Sequence, residues 1–341
     1  MKYFTIMVSA VLFFSGCGMP QKTIKRSESI MGTIWDITIV HGDEKAANTA
    51  IDEYFAEVRR LEKMLSFRDQ KSALNGVNAK AGTGPVKVPP EILTIMQTAL
   101  YVSELSGGGF DVTIGPVVKL WGFAGGQEKV PSPEEIKAAH ALVGYHLLKL
   151  DTKNSTLTLQ KKGMLLDLGG IAKGYALDRA RPILKKYKIK NAMINAGGQV
   201  YVTGKNPGGK KWKIGIIHPK KKEGLLGVFE ATDKCVATSG NYERYFRAKG
   251  KLYHHIFNPF DSFPASDTVS ATVMLNAADF EYPNTLADGL STAVFVAGCN
   301  KGLELCGKIK HAGAVIVSGT ETGIKLGLSE NLKGEIQFNE Y

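Results

Sequence analysis

The chain has 341 residues, 44% of them hydrophobic and 22% charged, with a net charge of +11. That balance excludes a disordered or fibrous chain and leaves room for one large core or two closely packed ones. Its four cysteines, Cys17, Cys235, Cys299 and Cys306, show no C-x-x-C spacing, which excludes a zinc knuckle and a thioredoxin-type motif.

The N-terminus carries Lys2, an apolar run from Tyr3 to Phe14, then Ser15-Gly16-Cys17. The run is too short for a stop-transfer helix and ends in small residues, so residues 1–16 read as a removable export signal. A cysteine directly after two small residues resembles the lipobox of bacterial lipoproteins. That resemblance implies a lipid on Cys17, a tether over residues 17–28, a body over residues 29–341, and a location on the periplasmic side of a bacterial membrane. Lys-rich turns such as Lys185-Lys186, Lys210-Lys211 and Lys220-Lys221-Lys222 then suit a solvated face beside anionic lipid, and export speaks against a nucleic-acid partner.

Alternation from Ile30 to Val40 predicts a first strand, and apolar groups at Ala46, Ile51, Tyr54, Phe55, Val58, Leu61 and Leu65 predict a helix over 45–65. A second helix is expected over 89–106, between Pro89-Pro90 and Gly107-Gly108-Gly109. Strand-like runs follow at 147–150, 155–160, 164–168, 192–195, 199–203, 212–217, 252–257, 269–274 and 313–318. Helices are expected near 133–141, 171–188, 286–298 and 301–309. Clustered strands with tight glycine turns and few helices predict an α+β fold with mainly antiparallel sheets. Cys299 and Cys306 suit either a disulfide in an oxidising compartment or thiols buried beside an apolar run.

Two phosphate-binding patterns fail. Gly204-Lys205-Asn206-Pro207-Gly208-Gly209-Lys210-Lys211 lacks the Ser or Thr of a P-loop, and a strand rather than a helix follows it. Gly169-Gly170-Ile171-Ala172-Lys173-Gly174 lacks the spacing of the dinucleotide fingerprint. Other segments suit a site better. Asp167-Leu168-Gly169-Gly170 ends a strand and opens a helix carrying Lys173, an arrangement that favours a close-lying anion, although a plain capped turn gives the same pattern. Gly107 to Pro116, followed by Leu120-Trp121-Gly122-Phe123, joins glycines, aromatics and the carboxylate of Asp111, which suits a planar ring or a packed turn. Asp288 and Thr292, four apart, share a helical face and offer two hard oxygens, unless Asp288 is merely an N-cap. Adjacent His254 and His255 point to opposite sides of a strand, so at most one faces a site.

In this order, Met31-Gly32-Thr33, Leu65-Ser66-Phe67-Arg68 with Ser72 and Asn75, Gly109 to Pro116 with Trp121-Gly122-Phe123, and Asp167 to Tyr175 resemble the ApbE family of FAD:protein FMN transferases. So do Asn195-Ala196-Gly197-Gly198, Ala237-Thr238-Ser239-Gly240, His255-Ile256 with Asn258-Pro259, and Ala287-Asp288 with Thr292. The resemblance covers about residues 29–325. It implies a single T-fold-like domain that binds FAD and Mg²⁺, transfers FMN to a threonine hydroxyl of an acceptor protein and releases AMP. By position, Met31, Phe67, Gly109, Phe110, Asp111, Asp167, Lys173 and Ile256 would line the flavin nucleotide. Asp288, Thr292 and the carbonyl of Gly170 would hold the metal, with Ser291 at a neighbouring place. His255 would be the base or a phosphate contact. Acceptors in such families include subunits of membrane redox complexes.

The chain departs from the family after Pro259, where x-Thr-Gly is replaced by Phe260-Asp261-Ser262 before Phe263-Pro264. This exchanges a hydroxyl and a flexible turn beside the expected site. Two other readings are an FAD pyrophosphatase that yields FMN and AMP, and a flavin carrier without chemistry.

Overall fold

The computed structural model describes residues 20–219, 224–319 and 323–339; the expected export signal, Cys17 and Lys220-Lys221-Lys222 lie outside them. The first part of the chain forms β1 (Lys22–Ile30), β2 (Thr33–His41), α1 (Glu44–Leu65), α2 (Ala73–Asn78), β3 (Val86–Lys87), α3 (Pro90–Leu105), α4 (Gly115–Leu120) and α5 (Pro133–His140). Next come β4 (Leu148–Asp151), β5 (Thr156–Leu159), α6 (Ala172–Asp178), α7 (Ala180–Lys186), β6 (Asn191–Ala196), β7 (Gln199–Thr203), β8 (Trp212–Ile217) and β9 (Leu225–Ala231). The rest forms β10 (Lys234–Gly240), β11 (Tyr245–Ala248), β12 (Lys251–His254), β13 (Thr268–Asn276), α8 (Pro283–Ala297), α9 (Cys299–Gly307), β14 (Gly313–Gly319), β15 (Ile324–Leu328) and β16 (Ile336–Phe338).

The principal sheet runs β1-β2-β6-β7-β10-β13-β14-β15 with antiparallel neighbours throughout. Its strands alternate cleanly between two cores. Trp35, Ile37, Ile194, Tyr201, Cys235, Ala237, Val273 and Ile316 face a large core shared with α1, α3, α6 and α8. Val200, Val202, Val236, Met274, Val315 and Val317 face a second core covered by the three-stranded sheet β16-β9-β8. The period-two rule therefore decides which β10 side chains look toward the helices: Cys235, Ala237 and, continuing the register, Ser239.

The α+β fold with antiparallel sheets is as expected. Four local expectations differ. Residues 22–28, expected in a tether, belong to β1, where Ile24 and Ile30 are buried and the backbone pairs with β2 from Lys22↔His41 to Ile30↔Thr33. Residues 164–168 form no ladder; only Leu165 bridges to Ile114. The helix expected over 171–188 divides at Arg179 into α6 and α7. Helix α8 begins at Pro283, before Asp288, so Asp288 stands in its second turn and is not an N-cap. Cys235, Cys299 and Cys306 are free thiols. Among the described residues no helix is long and apolar enough to cross a membrane.

Candidate functional site

Helices α6 and α8 seat each other through two carboxylates. Asp288 on α8 accepts a 2.8 Å hydrogen bond from the Gly174 N–H in the first turn of α6. Asp178, at the other end of α6, accepts from the N–H groups of Asn284 (3.0 Å) and Thr285 (2.8 Å) in the first turn of α8. It also accepts from Asn284 Nδ2 (2.9 Å) and Thr285 Oγ1 (2.6 Å). Each helix thus caps orphan amides of the other. Gly174 allows the approach: a Cβ there would stand 2.2 Å from the Asn284 carbonyl oxygen and 2.7 Å from Asp288 Cβ.

The next turn of α8 meets β10. Ser291 Oγ donates to the Asp288 carbonyl at 2.8 Å, and Ser239 Oγ lies 2.8 Å from Ser291 Oγ and 3.1 Å from Thr292 Oγ1. With the Ser291 proton on that carbonyl, Ser239 donates to Ser291 and Thr292 donates to Ser239, which leaves the Thr292 lone pairs free. Ser291 itself is fully buried, its hydroxyl spent on these bonds, so it braces α8 rather than facing a cleft. A Cβ on Gly170 would stand 3.3 Å from Thr292 Oγ1 and 3.2 Å from the Phe110 ring, so the Gly170 backbone borders both. Burial raises the Asp288 carboxyl above its ordinary range, opposed by the Lys173 charge and the Gly174 N–H. Its Oδ1 has no hydrogen-bond partner among the described residues.

One carboxylate oxygen, one hydroxyl and one backbone carbonyl fit a hard divalent cation that completes its shell with water and phosphate oxygens. Among the described residues there is no cluster of three or more His, Cys, Asp or Glu to hold a softer metal instead.

Beside this pair of helices lies a cationic rim. Burial raises the Asp167 carboxyl, while the Gly169 N–H at 2.7 Å and the charges of Arg244 and Arg68 draw it back. Arg244 donates to the Phe123 carbonyl and lies over the Phe123 ring at 5.8 Å. The loop bearing Phe67 and Arg68 is held by Asn75, whose Nδ2 donates to the Phe67 and Asp69 carbonyls, both at 2.8 Å.

The two histidines separate, His254 as the last residue of β12 and His255 just beyond it. His254 is buried, its Nε2 2.8 Å from the Ala265 carbonyl and its Nδ1 accepting from the Ile256 N–H at 3.2 Å, so it is structural. His255 Nδ1 lies 3.1 Å from the Arg244 carbonyl. Only an N–H can face a carbonyl, so Nε2 carries the lone pair. Desolvation, with Arg244 and then Lys173 nearby, lowers this ring to about 3 and keeps it neutral.

The remaining expected residues fall as follows. Met31 has φ 53° in the β1–β2 turn and donates its N–H to Glu62 Oε1 at 2.6 Å. That turn abuts the β6–β7 turn, where a Cβ on Gly197 would strike Thr33 Oγ1 at 2.1 Å, at the same end of the sheet as Ser239. Gly109 precedes Phe110, whose N–H is held by Ser106 Oγ at 3.1 Å. Ile256 is buried in the large core. Asp111 turns inward instead of toward a ring: its oxygens accept from Thr113 N–H (2.8 Å), Thr113 Oγ1 (2.7 Å) and Tyr145 N–H (2.6 Å).

The departure after Pro259 forms a rigid turn. Ser262 adopts φ 63°, where glycine is at ease, and its hydroxyl lies 3.0 Å from His140 Nδ1. Asp261 holds Asn258 Nδ2 (3.2 Å) and the Phe263 N–H (2.9 Å), and Trp121 Nε1 donates to the Ser262 carbonyl at 3.1 Å. Phe260 stays 60% exposed at its tip, beside Gly108 and Tyr145.

Sequence reasoning gave Ser239, Arg244 and Asp178 no site role; Ser239 had two usable signals, its place in the Ala237-Thr238-Ser239-Gly240 motif and the strand parity of β10.

Residues 31–316 match the model of the ApbE family. The chain is 29% identical to the FAD:protein FMN transferase of Vibrio cholerae O395, over 98% of both chains. It is 32% identical to that of Treponema pallidum, over 86% of this chain and 83% of the relative. A solved ApbE protein from Thermotoga maritima superposes with a TM-score of 0.81 at 33% identity, covering 94% of this chain and all of that one. The match spans every segment that builds the α6–α8 pair and its cationic rim, and the chain belongs to the ApbE family.

Proposed function

We propose that this protein transfers FMN from FAD onto a threonine hydroxyl of an acceptor protein and releases AMP, with Mg²⁺ as cofactor. The observation that carries the reading is the set of oxygens from Asp288, Thr292 and Gly170 next to Lys173. Bound there, Mg²⁺ would neutralise charge gathering on the departing AMP. Lys173, Arg244 and Arg68 supply fixed positive charge for the pyrophosphate, and Phe67, Phe110 and the glycines beside them offer a flat apolar wall to the flavin. His255 Nε2 takes the proton of the acceptor hydroxyl as its oxygen attacks the FMN phosphorus. The bond from that phosphorus to the bridging oxygen breaks, and AMP leaves with both electrons. Burial is the main cause of the low His255 value; a bound pyrophosphate offsets only the smaller part due to Arg244 and Lys173.

Incubation with FAD, Mg²⁺ and an acceptor bearing an exposed threonine tests the reading: a fluorescent acceptor supports it, free FMN alone indicates a pyrophosphatase, and unchanged FAD indicates a carrier. Asp288→Ala should abolish turnover and retain some FAD; undiminished transfer would remove the cation assignment.

We further propose that Cys17 is lipidated and holds the body on the periplasmic side of a membrane, with the acceptor in a membrane redox complex. Strand β1 starts at Lys22, close after Cys17 in the sequence, which suits a short anchor. Cys17→Ser should release the protein to the soluble fraction.

A further inference from the structure

A cavity of about 790 Å³ opens at the far end of α6, between α7, the β6–β7 pair and the start of α8. None of Gly170, Lys173, Asp288 or Thr292 lines it. Arg179, Arg181, Lys185, Lys188 and Lys190 do, with Tyr201 and Tyr282 as aromatic walls. Two neighbouring cations outside the cavity are paired: Lys186, next to Lys185, meets Glu53 at 2.7 Å, and Arg60 meets both Glu57 and Glu91. In the cavity only Arg179 has a carboxylate, Glu57 at 3.0 Å.

Arg181 is planted by the carbonyls of Phe280 (3.4 Å) and Glu281 (2.8 Å), with no acid against its guanidinium. Lys185, Lys188 and Lys190 form no ion pair among the described residues. Lys188 takes φ 56°, turning the chain after α7 so that its neighbours converge on the cavity. The carboxylates in the lining do not answer this charge. Asp178 spends its oxygens on four donors of α8, and Glu281 is exposed without an ion pair. Converging unpaired cations around a nucleotide-sized space are mutually repulsive until an anion enters.

We propose that this cavity binds a phosphate-bearing anion at a site separate from that of FAD. Arg181 is the fixed donor, the three lysines are adjustable ones, and Tyr201 and Tyr282 flank whatever group the phosphate carries. The assignment does not depend on the transferase reading.

Titration calorimetry of the full chain tests it, in EDTA so that no divalent cation bridges phosphate to Asp288. The probes are inorganic phosphate, AMP and glycerophosphoglycerol. The wild type should bind at least one of them, and Lys185→Gln/Lys188→Gln/Lys190→Gln should weaken that binding by at least about tenfold. Lys173→Gln should leave it unchanged. Preference for AMP marks a nucleotide as the source and preference for glycerophosphoglycerol a lipid headgroup; either supports the site. Absence of binding by every probe, equal binding by the triple variant, or loss in Lys173→Gln alone overturns it.

Discussion

Asp178→Asn probes the mutual seating of α6 and α8. The carboxyl is 5% exposed, and burial pushes it from 3.8 up to about 6 against the pull of its four donors. A folded value above the unfolded one means that folding takes up a proton between the two. This group therefore costs nothing below about pH 4, lowers stability as the pH rises from about 4 to about 6, and holds that deficit above. At about 1.4 kcal/mol for each tenfold change the full deficit is about 3 kcal/mol.

The asparagine does not titrate. It keeps an acceptor for Asn284 but turns an NH₂ toward Thr285; the hydroxyl can rotate to accept from it, whereas the Thr285 N–H loses its partner at about 1–2 kcal/mol. The variant should be less stable than the wild type by about 1–2 kcal/mol at pH 4, and the difference should move by about 3 kcal/mol in its favour by pH 7.5. Urea unfolding followed by tryptophan fluorescence at several pH values measures both. A gap that is constant with pH, or that widens toward pH 7.5, would refute the reasoning.

Three further outcomes are expected. His255 should stay neutral across pH 5–8 in the free protein, as a ring lowered to about 3 requires; a His255 Cε1–H resonance titrating near pH 6.5 would contradict this. Gly174→Ala should destabilise by about 2 kcal/mol and depress FMN transfer, because the methyl meets the Asn284 carbonyl; the opposing gain in helix propensity is about 1 kcal/mol, and net stabilisation in urea would exclude the close contact. Ser262→Gly should lie within about 0.5 kcal/mol of the wild type, since relief of the left-handed backbone offsets the lost His140 bond, whereas Ser262→Ala should lose about 1 kcal/mol; equal midpoints for the two variants would dismiss the strain.

Local signals carried the reading of the fold where packing is local. Helix α1 repeats its apolar residues on one face, and Ile51, Tyr54, Phe55, Val58, Leu61 and Leu65 are the ones buried. Strand β1 was illegible for the opposite reason: Lys-Thr-Ile-Lys-Arg-Ser-Glu-Ser-Ile has little apolar character, and its pairing with β2 supplies the order. Residues 164–168 carry a strand-like pattern, but only Leu165 finds a backbone partner, Ile114, and no ladder forms. In the site, the four-residue step from Asp288 to Thr292 was readable because a helix fixes it. Asp178, Arg244 and Ser239 were not, because each acts on groups distant in sequence, as with Asp178 and Thr285, 107 positions apart. Asp111 was readable as a carboxylate but not as one already consumed by Thr113 and Tyr145.

The partnership of Gly174 with Asp288 spans 114 positions and has a consequence for biogenesis. A nascent chain emerges N-terminus first and displays its glycine turns and lysines long before α8 arrives. Until β10 and β13 have paired to give that helix a floor, Ser239 cannot meet Ser291 and Thr292. The seating of α6 on α8 is accordingly completed in one late, cooperative step of folding.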